Sequence, residues 1–120
     1  MSRRTLLNKY QILNAVDSSL TQTSTPTDIS GLDYITYQLL ADALVDSVLE
    51  VQVCNDVVLS PSSVFVSLEF SNVLSIIGAA DIDYMVTVEN QGFRHAKIQL
   101  TNNGGSGTIN AWISGTTRSA

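Results

Sequence analysis

From position 10 onward, apolar residues recur with a period of two, in short stretches about ten residues apart separated by turn residues. In 34–41, Ile35, Tyr37, Leu39 and Ala41 share one face. In 48–55, Leu49, Val51 and Val53 alternate with Glu50, Gln52 and Cys54. In 64–70, Val64, Val66, Leu68 and Phe70 alternate with Phe65, Ser67 and Glu69. Stretch 81–89 sets Ile82, Tyr84, Val86 and Val88 against Asp83, Met85 and Thr87. Stretch 93–101 sets Ala96, Ile98 and Leu100 against His95, Lys97 and Gln99. Stretch 107–115 sets Ile109, Ala111 and Ile113 against Asn110, Trp112 and Ser114. Successive strand side chains point to opposite faces, so each stretch predicts one buried face and one wet face.

Two further stretches belong at edges. Residues 10–16 read as a first edge strand. Residues 20–29 are rich in Ser and Thr, and Pro26 confines them to an edge or a bend. The run 39–45 has the propensity of a helix turn, but it is read as a strand, a loop near 42–46 and a second strand. Residues 72–80 carry the same ambiguity. Asn55-Asp56, Ser60-Pro61-Ser62-Ser63 and the run from Asn102 to Gly107 supply turns, the last with the residues that adopt positive φ. The pattern predicts an all-β fold: an antiparallel β-sandwich, jelly-roll-like or Greek key, of about 7–8 strands. Residues 1–9 are expected to form a flexible basic N-terminal arm, and 10–120 a single sandwich domain.

The chain has 120 residues, the size of one domain able to bury roughly two-thirds of its unfolded surface. Charged residues make up only 14%, against roughly 25% in typical soluble domains. The surface must therefore be rich in neutral polar groups, which are cheap to desolvate and suit assembled proteins. Cys54 is the one cysteine, which excludes an internal disulfide and a cysteine metal cluster. No run approaches the ~20 apolar residues of a membrane span. Asn8 and Lys9 interrupt the only apolar start, so a cytoplasmically made chain without an export signal is expected.

Charge order adds more than the net charge of −5. Arg3, Arg4 and Lys9 come first, all eleven acids lie between Asp17 and Glu89, and Arg94, Lys97 and Arg118 follow. A basic arm on an acidic body can attract a neighbouring copy or lie on its own domain. Net acidity argues against non-specific nucleic-acid binding.

Candidate chemistry is sparse. His95 is the only histidine and is expected on the outward face beside Arg94 and Lys97, as a surface or interface residue. Cys54 has no basic neighbour on its strand and reads as a buried or interfacial filler. Glu50 and Glu69 are not singled out as a glycosidase pair. The pairs Asp81/Asp83 and Asp42/Asp46 lack calcium-loop spacing and read as solvated acids. Gly104-Gly105-Ser106-Gly107 lacks the lysine and helix of a phosphate loop. Trp112 stands opposite the core residues of its strand, where it marks a protein interface or a sugar platform with Tyr34, Tyr37 and Phe93. No catalytic residue, cofactor or metal is expected.

Four segments together resemble a family of small β-sandwich structural proteins that accompany the capsid genes of tailed phages. They are Pro26-Thr27-Asp28-Ile29 leading into 34–40, the strand end Val51 to Asp56, the run Gly92 to Thr101, and Gly105 to Ile113. The resemblance spans about 25–116 and rests on strands and turns. Phe65 and Phe70 stand where the family often has Trp. The resemblance implies a virion protein, most simply a capsid decoration or minor head protein that binds the major capsid protein and its own copies. A tail, neck or baseplate adaptor and a carbohydrate-binding module are the alternatives. The candidate inter-subunit contacts are Arg3, Arg4, Lys9, Tyr10, Arg94 and Trp112.

Overall fold

The computed structural model describes residues 6–42, 44–68, 73–77 and 82–117. Among these there is no helix, and ten strands follow one another. They are β1 (Leu6–Asp17), β2 (Gln22–Thr23), β3 (Thr27–Asp28), β4 (Tyr34–Ala41), β5 (Asp46–Cys54), β6 (Val66–Ser67), β7 (Val73–Ile77), β8 (Ile82–Glu89), β9 (His95–Asn102) and β10 (Thr108–Thr116). One sheet has the order β1-β10-β4-β8. The other runs β2-β9-β5-β6, with β3 also on β9 and β7 also on β5. Every pairing is antiparallel. With β2 and β3 sharing one position, and β6 and β7 another, this is the jelly-roll connectivity of two interleaved Greek keys.

The period of two produces this core directly. Ile35, Tyr37, Leu39 and Ala41 from β4 and Ile109, Ala111 and Ile113 from β10 face Leu49, Val51 and Val53 from β5 and Ala96, Ile98 and Leu100 from β9. All thirteen are 2% exposed or less, and full burial of each larger aliphatic is worth ~1.5–3 kcal/mol. Ile29, Leu32 and Val45, from the loops, complete the cluster.

The turn run after β9 works by two mechanisms. Gly104 takes φ +116°, which a side chain resists. Gly105 and Gly107 are needed for close approach instead. A Cβ on Gly105 would collide with the Asp46 backbone nitrogen, and one on Gly107 with the Asp42 carboxylate. That carboxylate accepts the Leu44 amide (2.9 Å) and the Thr108 amide (3.0 Å), clipping the 42–45 turn to the start of β10.

Three expectations need correction. Residues 6–9 are not part of a free arm: Leu6 pairs with Thr116 and Leu7 with Gly115, in a β1 that starts before position 10. The apolar Leu6-Leu7 pair extends the edge strand across three register shifts. In the stretch expected to be a strand over 64–70, Val66–Ser67 forms the short strand β6, the Leu68 amide donates to the Val51 carbonyl (3.0 Å), and Val64 and Val66 are exposed. Leu68 of this stretch packs against the core, so the alternation fails at Val64 and Val66. His95, placed outward by alternation, is buried; Cys54, read as a buried or interfacial filler, is buried as well. Of the ambiguous 72–80, the described part is strand β7. Arg3, Arg4, Phe70 and Asp81 lie outside the described residues.

Candidate interaction surfaces

The outer face of the four-stranded sheet is built by residues that alternate with the core. Register aligns Gln11, Trp112, Gln38 and Met85 in one row across β1, β10, β4 and β8. The Lys9 ammonium lies 5.0 Å from the centroid of the Trp112 ring, a cation–π contact worth ~0.5–1 kcal/mol at an exposed site. Asn110 accepts through Oδ1 from Gln11 Nε2 (2.9 Å) and from the Ala15 amide (2.8 Å). It thereby holds β1 where Ala15 adopts φ +48°. The Thr36 and Thr87 hydroxyls are 3.0 Å apart. The face is thus broad, mostly neutral and polar, with one half-buried Trp at its centre.

Lys9 and Trp112, both singled out in the sequence, therefore meet. Tyr10 does something else. It sits opposite Ile113, and its hydroxyl lies 2.9 Å from Thr27 Oγ1 on β3, so it ties the edges of the two sheets together while remaining 43% exposed. Arg94 belongs to another region. The β3–β4 and β8–β9 loops bound a cavity of about 290 Å³ lined by Ser30, Gly31, Leu32, Asp33, Asn90, Gly92, Phe93 and Arg94.

Asn90, which the sequence did not single out, organises that region. Its amide nitrogen reaches the carbonyls of Ile29 (3.2 Å), Leu32 (3.0 Å) and Phe93 (3.1 Å), and its Oδ1 accepts the Phe93 amide at 2.7 Å. The one signal for it is an Asn directly before a Gln-Gly turn. Its polar capacity is consumed in holding two loops, so the cavity wall it forms is structural.

Register also aligns Asp28, His95 and Cys54 across β3, β9 and β5. His95 is 9% exposed and its Nδ1 finds no hydrogen-bond partner among the described residues. Lys97 Nζ stands 4.3 Å from the centroid of the Phe65 ring, so the chain after β5 folds back beside β9. The Ser30 amide, then the Ser30 hydroxyl, hold the Asp28 carboxyl below the usual range, with smaller contributions from His95 and Arg94. No hydrogen bond joins the three side chains among the described residues, so the row lacks the nucleophile–base contact of covalent catalysis. Among the described residues no three His, Cys, Asp or Glu are grouped as for a metal ion, and no helix is long and apolar enough to cross a membrane.

No protein-family model and no curated protein matches the chain. Its architecture defines an all-β jelly-roll sandwich. Solved structures share it. The SPBc2 prophage-derived protein YomS is similar with a TM-score of 0.68 at 5% identity, over 98% of this chain and 97% of that one. The enzymatically active domain of tailspike protein 4 from bacteriophage CBA120 is similar with a TM-score of 0.53 at 18% identity, over 80% of this chain but 13% of that one. At such identities the likeness establishes the fold.

Proposed function

We propose that this chain is a non-enzymatic structural component of a phage virion, a capsid decoration or minor head protein that binds the shell and its own copies. The observation that carries the reading is the outer face of the four-stranded sheet. Trp112 stands there between Gln11 and Gln38 with the Lys9 ammonium over its ring, an aromatic anchor on a face of mostly neutral polar residues. The fold shared with a prophage-derived protein of nearly equal length supports it. Repetition over many equivalent sites would let modest contacts hold through avidity.

A tail, neck or baseplate position is the second reading, favoured by the fold shared with part of a phage tailspike. A sugar platform is less well supported, because Lys9 already occupies the ring of Trp112. Quantitative mass spectrometry of purified virions tests the proposal. Hundreds of copies per particle support decoration, a few to tens support a tail or neck position, and absence from particles overturns both. Trp112→Ala should lower incorporation while the chain stays folded.

A further inference from the structure

We infer that the cavity between the β3–β4 and β8–β9 loops is a binding site for a carboxylate, with Arg94 as its cationic anchor and the backbone amides of Gly31 and Gly92 as its neutral donors. This goes beyond the virion reading and does not rest on it.

The cavity is fixed before anything enters it. Asn90 ties the two loops through the carbonyls of Ile29, Leu32 and Phe93 and through the Phe93 amide. Backbone bonds lace the same loops together. The Ile29 amide donates to the Arg94 carbonyl (2.8 Å), and the Asn90 amide to the Asp33 carbonyl (2.7 Å). A site that needs no ordering keeps more of its contact energy when a ligand binds. Its volume of about 290 Å³ lies at the small end of ligand pockets.

The polar groups left over select the ligand. Arg94 and Asp33 are the charged residues of the wall. Asp33 has an interaction of its own. Arg94 is exposed, and among the described residues its guanidinium makes no hydrogen bond or ion pair. The nearby Asp28 carboxyl is kept low chiefly by the Ser30 amide, with Arg94 the smallest influence on it. Gly31 and Gly92, one on each loop, have φ of +80° and +97°, and no atom lies within 4 Å of where a side chain would begin. They leave the lips of the cavity bare, and among the described residues their amides have no acceptor.

An exposed arginine by itself is ordinarily solvated. Here it stands with two open amides at one rigid mouth, and a planar carboxylate fits the guanidinium fork bidentately. The negative charge of Asp33 in the same wall disfavours a doubly charged phosphate. Leu32, which is buried, and Phe93, which is half-buried, give the body of the ligand an apolar wall. These groups together take a singly charged carboxylate on a small apolar body. A free organic acid supplies that chemistry, and so does the last residue of a peptide chain.

Amide-resolved NMR on the purified whole chain tests this with three probes. They are phenylacetate, its neutral counterpart phenylacetamide, and an acetylated tripeptide ending in phenylalanine with a free carboxylate. Phenylacetate should bind with a Kd of roughly 0.1–5 mM, shifting the amides of Gly31, Gly92 and Arg94 first. Phenylacetamide should bind about tenfold more weakly or worse. Arg94→Gln should weaken phenylacetate by about the same factor, and Arg94→Lys, which keeps the charge but loses the fork, should fall between. Lys97→Gln lies outside the cavity and should bind as the unaltered chain does. Circular dichroism checks that each variant is folded, and the comparison of acid with amide decides without any variant. Tighter binding of the tripeptide than of phenylacetate identifies chain ends as the source of the carboxylate, and the reverse order identifies small acids. The inference is overturned by no saturable shift with either acid up to ~20 mM, by equal binding of acid and amide, or by shifts that map away from the two loops. Unchanged binding by Arg94→Gln, or an equal loss in Lys97→Gln, overturns it as well.

Discussion

The hydroxyl oxygens of Tyr10 and Thr27 lie 2.9 Å apart, joining the first strand of one sheet to an edge strand of the other. Either oxygen can be the donor, and Thr27 is 5% exposed. Tyr10→Phe removes the contact and leaves a mostly buried hydroxyl behind, so a loss of about 1 kcal/mol is expected in urea unfolding. Thr27→Val should cost a similar amount, and the double variant should cost less than the two together, because they share one bond. Strict additivity would show that the two hydroxyls do not interact.

Tyr37 presents the opposite case. It is fully buried at the centre of β4, and its hydroxyl has no hydrogen-bond partner among the described residues. Burial pushes its phenol well above the ordinary tyrosine value, with a smaller push from Tyr10. Tyr37→Phe should therefore be neutral or stabilising by up to ~1 kcal/mol, whereas Tyr37→Ala should cost about 3–5 kcal/mol through the cavity it opens. Thermal melts of the two variants separate these outcomes; a clear destabilisation by Tyr37→Phe would mean the hydroxyl is satisfied.

Acid should weaken the fold through three aspartates. Hydrogen bonds from Ser19 hold Asp17 below the ordinary value of 3.8, those from Ser30 do so for Asp28, and the Leu44 and Thr108 amides do so for Asp42. A depressed folded-state value means that the unfolded chain takes up protons first as the pH falls. The contribution is complete well above 3.8 and is lost as the pH falls from there through the lowered folded-state values. The urea midpoint should hold steady from pH 7 to about 5 and then drop. Asp42→Asn should start lower at pH 7 and fall less steeply, since one of the three titrations has been removed. A midpoint unchanged down to pH 3 contradicts this.

The two turn glycines should differ from their neighbour. Gly105→Ala sets a methyl against the backbone of Asp46 and Leu44, and Gly107→Ala sets one against the Asp42 carboxylate. Backbone cannot step aside, so Gly105→Ala should cost about 2–3 kcal/mol or more. Asp42 can swing away at the price of its clip, so Gly107→Ala should cost less. Gly104→Ala has open space but a φ of +116°, and the cost of about 1 kcal/mol is strain alone. Chemical denaturation of the three variants gives the ranking.

The sandwich was legible because the period of two is carried by core residues themselves. The stretch 34–41 coincides with β4, and the alternating residues of 107–115 are those that β10 buries. What alternation does not encode is whether something lies above a face. His95 alternates outward yet is buried, two positions along β9 from Lys97, which lies against the Phe65 ring. Val64 and Val66 alternate inward yet are exposed, whereas Leu68 in the same stretch packs against the core. At the candidate surface, Lys9 and Trp112 were readable one by one. Their contact was not, since it depends on β1 and β10 lying side by side. Asn90 was missed because its partners, Ile29 and Leu32, come from a loop some sixty positions away.

The pairing of Leu6 with Thr116 has a consequence for the order of events during synthesis. Among the described residues β1 pairs with β10 alone, so β1 waits about a hundred residues of synthesis for its partner. At ~5–20 residues per second that interval is on the order of ten seconds. β4 waits as well, since both its partners, β8 and β10, are made later. The four-stranded sheet therefore cannot close before β10 has been made. Until β10 emerges, Leu7 and Leu13 stay available to any other surface that will cover them, and nascent chains on one message would compete for one another's last strand.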